Sequence, residues 1–387
     1  MRLVCKRNSK VLAYAISLLC FVIIDSAFAD DLPTVTLGGF SSFEVGHTRQ
    51  QYFTESGPFS RATHFRDYNL IDVKVAAETA SGLKYGAFLQ LEANETPDDH
   101  NYGKNADKTY GFFEGSGGRL EFGANTDAAQ AMKVDASTFA VGAGGIDGDW
   151  ELYVGGLGID QNNEAAFIIK PSLPTAHAET TKVPNANKIT YYSPRIEGFQ
   201  AGVSFTPDQG DIGTSTGWDT GGQPGFYQNV FNGGLNYNAK VKDISFIGAV
   251  TGEFGRNSLH NTIEDLNAYN AGINIGYKEF TIGGSYGTWN LSTLVRPEVF
   301  TTSPNYKDSY YWDIGAVYDT GNFATSLTYL KSNYRGTHEL DHISLGADYK
   351  LAPGFTPFAE ANYFHITSGE TFNEHGNVLI AGTKLNF

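Results

Sequence analysis

From Val35 onward the chain is written in short segments whose residues alternate apolar and polar, and this two-residue period constrains the fold more than any other feature. Successive side chains of a β-strand point to opposite faces, so each such segment presents one oily side and one wet side. The clearest case places Leu83, Tyr85, Ala87, Leu89 and Leu91 on one parity and Lys84, Gly86, Phe88, Gln90 and Glu92 on the other. Val35, Leu37, Gly39, Ser41, Phe43 and Val45 form an earlier set, and Ile71, Val73, Val75 and Ala77 oppose Asp72, Lys74 and Glu78 in the next. The pattern then continues as hairpins: 109–114 with 119–125, 188–193 with 199–206, 229–241 with 244–254, 267–277 with 280–290, 310–319 with 323–331, and 342–351 with 355–366, before a last strand at 378–387. The expected fold is all-β with about sixteen strands.

How the segments are joined decides between all-β architectures. Short turns at 278–279, 319–322 and 352–354 alternate with longer polar loops at 208–227, 255–266, 291–308 and 332–341. A soluble sandwich has no reason to sort its loops by length, whereas a membrane barrel carries tight turns on one rim and long loops on the other. The sequence therefore predicts a transmembrane antiparallel β-barrel, closed because an open edge would strand backbone N–H and C=O groups in hydrocarbon. A barrel of about sixteen strands leaves an aqueous lumen. Tyr277, Phe280, Tyr318, Phe323, Tyr349, Phe355 and Phe387 fall near strand ends on the short-turn side, the pattern of an interfacial aromatic girdle.

The N-terminus fits export. Arg2, Lys6, Arg7 and Lys10 precede an apolar run at 11–24 and an Ala27-Phe28-Ala29 site, so residues 1–29 read as a secretory signal peptide and 30–387 as the barrel. An uncleaved anchor helix is the rival, but the run falls short of the ~20 residues a bilayer span needs. Both cysteines, Cys5 and Cys20, lie in the signal, leaving the mature chain without a disulfide or thiolate metal site. Cleavage removes four basic residues and one acid, moving the net charge from −15 to −18, which argues against nucleic acid as a partner.

One interval breaks the alternation. Residues from about 127 to 186 have no sustained period, and a loop this long is uncommon unless it is functional. Folded into a barrel, it becomes a constriction. Its first part holds Asp127, Asp135, Asp147, Asp149 and Glu151 against Lys133 alone, a negative set that attracts cations in a narrow lumen. Lys74 and Arg66 have lumen parity on the second strand, and Arg119 and Lys188 flank the loop; together they are the candidate basic wall.

Several motifs resemble one family. Asn187-Lys188-Ile189-Thr190-Tyr191-Tyr192-Ser193-Pro194 with Gly198-Phe199 is similar to a hairpin of Gram-negative general porins. Gly118-Arg119-Leu120-Glu121-Phe122-Gly123 resembles the strand before their constriction loop, and Tyr349 to Gly354 a late periplasmic turn. The alternating Leu379, Ala381, Thr383, Leu385 and Phe387 resemble their assembly signal, with Leu385 and Phe387 presented to the barrel-assembly machinery. The resemblance implies a homotrimer of sixteen-stranded barrels in the outer-membrane lipid, passing ions and small hydrophilic solutes by passive diffusion. It also implies that the third external loop opposes a basic wall. The loop lacks a Pro-Glu-Phe-Gly run, so the resemblance does not assign its eyelet acids.

Other chemistries are weaker. Asp147-Gly148-Asp149 with Glu151 offers oxygens of the kind Ca²⁺ takes, but an EF-hand loop is absent and the expectation is no cofactor. Gly283-Gly284-Ser285-Tyr286-Gly287 matches a nucleophile elbow yet lies in an alternating strand rather than a strand-to-helix turn, so no enzyme activity is expected. A substrate-specific channel, with an aromatic track or a basic ladder, remains the alternative to a general pore; Tyr310, Tyr311, Trp312 and Trp289 are too scattered in parity to decide.

Overall fold

The computed structural model describes residues 32–51, 62–93, 106–154, 168–176, 185–210, 212–213, 227–294, 296, 307–369 and 372–387. The proposed signal peptide, residues 1–29, lies outside them, as do parts of the long loop.

Sixteen antiparallel strands close into one barrel in chain order, each paired with its neighbours and the last with the first. They are β1 (Thr34–Gln50), β2 (Thr63–Glu78), β3 (Lys84–Glu92), β4 (Ala106–Gly115), β5 (Gly118–Ala124), β6 (Asn187–Tyr192), β7 (Phe199–Asp208) and β8 (Tyr227–Val241). The second half comprises β9 (Ile244–Asn257), β10 (Leu266–Tyr277), β11 (Phe280–Asn290), β12 (Ser309–Asp319), β13 (Phe323–Tyr334), β14 (His338–Tyr349), β15 (Phe355–Ser368) and β16 (Phe372–Asn386). Every strand expected from the alternation is present.

Two ends differ from the sequence reading. The polar stretch from 47 to 66 is partly strand, because β1 runs to Gln50 and β2 begins at Thr63, and β16 starts six residues before the expected 378. Both faces of a strand meet water once it leaves the hydrocarbon, so the alternation fades while backbone pairing continues, as in His47 opposite Thr63 and Gln50 opposite Gly376.

Parity now has a direction. Ile273, Ile282, Ile314, Leu327 and Leu345 stand on the outer surface, each more than half exposed, as lipid-facing residues must be. The girdle residues Tyr277, Phe280, Tyr318, Phe323, Tyr349 and Phe387 are exposed there too, and the Phe280 and Tyr318 rings lie 4.7 Å apart across neighbouring strands. On the same rim, tight turns depend on residues with positive φ, Lys278 at 51° and Gly354 at 73°.

The apolar core sits inside the barrel. Trp150, Tyr153, Ile169 and Leu173 of the long loop pack with Trp289, Tyr311, Leu330, Phe364 and Ile380 of the wall, all nearly inaccessible. The seam between β1 and β16 ends on the terminal residue: the Gly39 amide donates to the Phe387 carbonyl at 2.9 Å and the Phe387 amide returns to Gly39 at 3.2 Å. Deleting Phe387 removes this last pair and one girdle ring at the short-turn end of the seam between β1 and β16. The folded, heat-modifiable fraction on SDS gels is expected to fall; an unchanged fraction would show that the seam closes without it.

Candidate functional site: the constriction loop and its wall

The loop between β5 and β6 is a belt laid on the inner wall rather than a structureless excursion. It opens with α1 (Ala128–Met132), capped by Asp127, whose carboxylate accepts the Gln130 amide at 2.9 Å. Three short 3₁₀ turns follow, at Ala136–Phe139, Gly145–Asp147 and Trp150–Tyr153, and a fourth, Pro174–Ala176, lies on the return leg. The path follows the wall in order. The α1 helix packs on β6 to β9, the first turn on β11 to β13, the second on β13 and β14, and the third on β16 and β1.

Two features of the wall hold the belt close. Some lumen-facing positions are glycines against which the loop backbone rests directly: a Cβ on Gly272 would stand 1.7 Å from the Val134 carbonyl, and one on Gly346 2.0 Å from that of Val141. Elsewhere, wall side chains accept the loop's backbone amides. Asp313 takes Ala136 N at 2.8 Å and Asp348 takes Gly142 N at 2.9 Å. One Glu360 oxygen takes Ala143 N and Gly145 N at 2.8 and 2.9 Å, Glu253 takes Thr175 N at 3.0 Å, and Ser204 takes Ala128 N at 2.8 Å. Leaving a buried amide without its acceptor costs about 1–3 kcal/mol, and all of these but the Ala128 amide end on a carboxyl group, so the wall acids are the main fasteners. Further along, Trp150 stacks on His342 at 4.2 Å and on Phe364 at 5.4 Å, and the Tyr153 hydroxyl donates to Glu44 at 3.0 Å.

None of these wall anchors was singled out from the sequence. Their signal was an acid at lumen parity within a strand, as at Glu253, Asp313 and Glu360, or at its end, as at Asp348. Ser285, the centre of the nucleophile-like motif, faces the lumen and donates to Asp313, which places it in the support of the same anchor.

The loop acids separate into two groups. Asp127 and Asp135 are turned into the loop, 2% and 0% exposed, where Asp135 accepts the Ser137 amide at 2.8 Å and pairs with Lys133 at 3.1 Å. Asp147 and Asp149 reach the water, with side chains 33% and 59% exposed. Asp147 pairs with Lys133 at 3.1 Å, Asp149 faces Arg66 of β2 at 3.6 Å, and Glu151 pairs with Lys170. Lys170 comes from the return leg, a cation missed by reading the first part of the loop alone. Burial would drain the Lys133 amine of its proton, but the Asp147 and Asp135 carboxylates outweigh burial and hold it above the ordinary lysine range. Glu151 is pushed the other way, upward, by burial that Lys170 only partly offsets. The three carboxylates proposed as Ca²⁺ ligands thus each face a different cation. A recess of about 320 Å³ lies along the exposed edge, lined by Ser137, Ala143, Gly144, Asp147, Gly148 and Asp149.

The basic wall also divides. Arg66 meets the loop, its guanidinium 3.6 Å from Asp149 and 5.7 Å from the Tyr153 ring centre. Lys74 stands on the same lumen face further down, 6.0 Å from the Phe112 ring. Arg119 is held by wall acids, Glu114 at 2.8 Å and Glu121 at 2.6 Å, and lies over Phe112 at 4.3 Å. Lys188, 5% exposed, donates to the carbonyls of Asn125 and Ala186 and pins the two ends of the loop together.

A closed sixteen-stranded barrel with an oily outside and a water-filled lumen narrowed by its own loop defines a channel-forming outer-membrane porin. Residues 15–368 match the Gram-negative porin family, and the chain belongs to it. It is 27% identical to an uncharacterized protein of Rickettsia conorii over 98% of this chain and the whole of that one. Its fold is shared by an anion-selective porin from Comamonas acidovorans, with TM-score 0.59 and 15% identity over 92% of this chain and all of the other. A mutant of Rh. blastica porin superimposes with TM-score 0.54 at 16% identity, again over 92% of this chain and all of that one. The protein is therefore an outer-membrane channel for small solutes.

Proposed function

We propose that the channel passes ions and small hydrophilic solutes by passive diffusion, with a preference for cations, and that it works as a homotrimer. The observation that supports the preference is the pair Asp147 and Asp149 on the water-exposed edge of the belt. Carboxylates beside a narrow aqueous path between low-dielectric walls raise the local concentration of cations and lower that of anions. Barrel geometry alone does not fix the sign, since the Comamonas acidovorans barrel of the same fold is anion-selective. Arg66, opposite Asp149, gives the constriction a transverse field that orders water and favours polar solutes. The trimer rests on the family, whose members are typically trimeric. Reconstitution tests both: in a KCl gradient the reversal potential should take the sign of K⁺ permeation, and current steps should come in threes. A Cl⁻-signed potential would overturn the preference, and single, independent steps the trimer.

A further inference from the structure

The lumen-facing side of β1 to β4 carries rings where a water-filled barrel ordinarily places polar groups. Phe40 shares its face with Glu44, which bonds to the loop, and Tyr68 shares its face with Arg66, which pairs with Asp149. The Phe40 and Tyr68 rings lie 6.4 Å apart. Further toward the short-turn rim on the same face, Phe88 and Tyr110 lie 5.4 Å apart. Pairing Phe40 with Leu70, Leu70 with Glu92, and Lys74 with Phe88 puts the two ring pairs on adjacent strands. Their separation is roughly 16 Å, at about 3.3 Å per residue along a strand and 4.8 Å between strands. Tyr68 is 38% exposed, and the other three rings are half-buried. Among the described residues, the belt's strand contacts run from β6 round to β1, and its one ion pair to β2 is Arg66. Among the described residues, the rings therefore border the water path on the side where the belt makes its fewest strand contacts. An apolar face kept against water is unfavourable unless something covers it in use.

The groups between and beside the rings narrow what that is. The Gln90 amide donates to Asp72 at 2.8 Å midway along the stripe, and the Tyr68 hydroxyl donates to Glu92 at 3.2 Å. Below Tyr110, Arg119 bridges Glu114 and Glu121. Arg119 is neutralised by Glu114 and Glu121, Asp72 and Glu92 are engaged by the Gln90 amide and the Tyr68 hydroxyl, and Lys74 lies over the Phe112 ring, so the stripe mixes donors and acceptors of both signs. A cationic solute would meet Lys74 and Arg119, and an anionic one would meet Asp72 and Glu121. An uncharged ring with C–H faces and a rim of hydroxyls suits both the aromatic faces and the paired polar groups.

We propose that this stripe is a carbohydrate track: an oligosaccharide stacks on Phe40 with Tyr68 and on Phe88 with Tyr110, while its hydroxyls exchange hydrogen bonds with Asp72, Gln90 and the Arg119 cluster. This inference rests on the reading of the protein as a water-filled channel. The spacing of the ring pairs favours a chain of several sugars over a monosaccharide.

The test is current block in planar bilayers, with a linear glucose hexasaccharide as probe and a polyethylene glycol of equal hydrodynamic size and tetramethylammonium chloride as controls. The wild-type channel should show saturable block by the hexasaccharide alone. In the Phe88→Leu/Tyr110→Leu variant, which keeps apolar bulk and removes the rings, apparent affinity should fall about tenfold, the scale of two lost ring contacts, with the KCl conductance unchanged. Equal block by the polyethylene glycol, block by tetramethylammonium instead of the sugar, or full retention of sugar affinity in the variant would each overturn the track. Normal ion current without sugar block overturns the track alone, whereas absence of ion current overturns the channel reading and the track with it.

Discussion

Replacing both Glu360 and Asp348 by alanine should release the middle of the belt and enlarge the pore. The two carboxylates accept the amides of Gly142, Ala143 and Gly145, and Asp348 also holds Lys384 at 2.7 Å. Leaving a buried donor without its acceptor costs about 1–3 kcal/mol, and three amides lose theirs together. The strand ladder is untouched, since Gly346 and Glu360 pair through their backbones and the adjacent Asp348 pairs with Phe358. The double variant should therefore fold to a heat-modifiable barrel whose single-channel conductance rises about twofold or more, because lumen width sets conduction once the constriction withdraws. Glu360→Gln keeps an acceptor oxygen and should stay near the parent. A double variant that folds with unchanged conductance would mean that the Trp150 stack and the wall glycines hold the belt without the carboxylates.

The second large effect concerns ion selectivity. Changing Asp147 and Asp149 together to asparagine removes the exposed acids and also frees their partners, leaving Arg66 without its loop carboxylate and Lys133 with Asp135 as its remaining carboxylate. A unit charge about 6 Å from a permeating ion in water is worth roughly 0.7 kcal/mol, so the pair changes local cation concentration about tenfold. The preference for K⁺ over Cl⁻ should collapse in the double variant at low salt. In the parent it should itself weaken as the Debye length shrinks from roughly 10 Å at 0.1 M to 3 Å at 1 M. Asp208, at the end of β7 and bonded to Gln228 at 2.9 Å, is the control: Asp208→Asn should leave the reversal potential nearly where it was. If it shifts the potential as far as the loop pair does, the selectivity arises at the mouth and not at the belt.

The strands were legible because their cause is local. A residue such as Ile273 faces lipid and its neighbour Gly272 faces the lumen by the geometry of the pleat alone, and a turn such as Tyr277 to Phe280 is written in adjacent residues. The site was legible in part. Asp147, Asp149 and Arg66 were picked out by charge and parity; Asp149 faces Arg66, while Asp147 pairs with Lys133. Asp127, Asp135 and Lys188 were found by the same reasoning and serve the loop's own folding, because a carboxylate at the start of a short helix is worth more as a cap than in water. The anchors were invisible for a different reason: Asp313 lies 177 positions from its partner Ala136, and Glu360 lies 215 from Gly145. Contacts of that range are set by closure of the whole sheet, which no window along the chain contains.

That closure has a kinetic side. Because β1 pairs with β16, the first strand finds its second neighbour in the strand furthest from it along the chain, and every sheet that lacks β16 has two unsatisfied edges. Folding during synthesis is thereby ruled out for the finished sheet. Until the sheet closes, the polypeptide is an open, aggregation-prone string of half-oily segments, and all sixteen must join before any edge is spared.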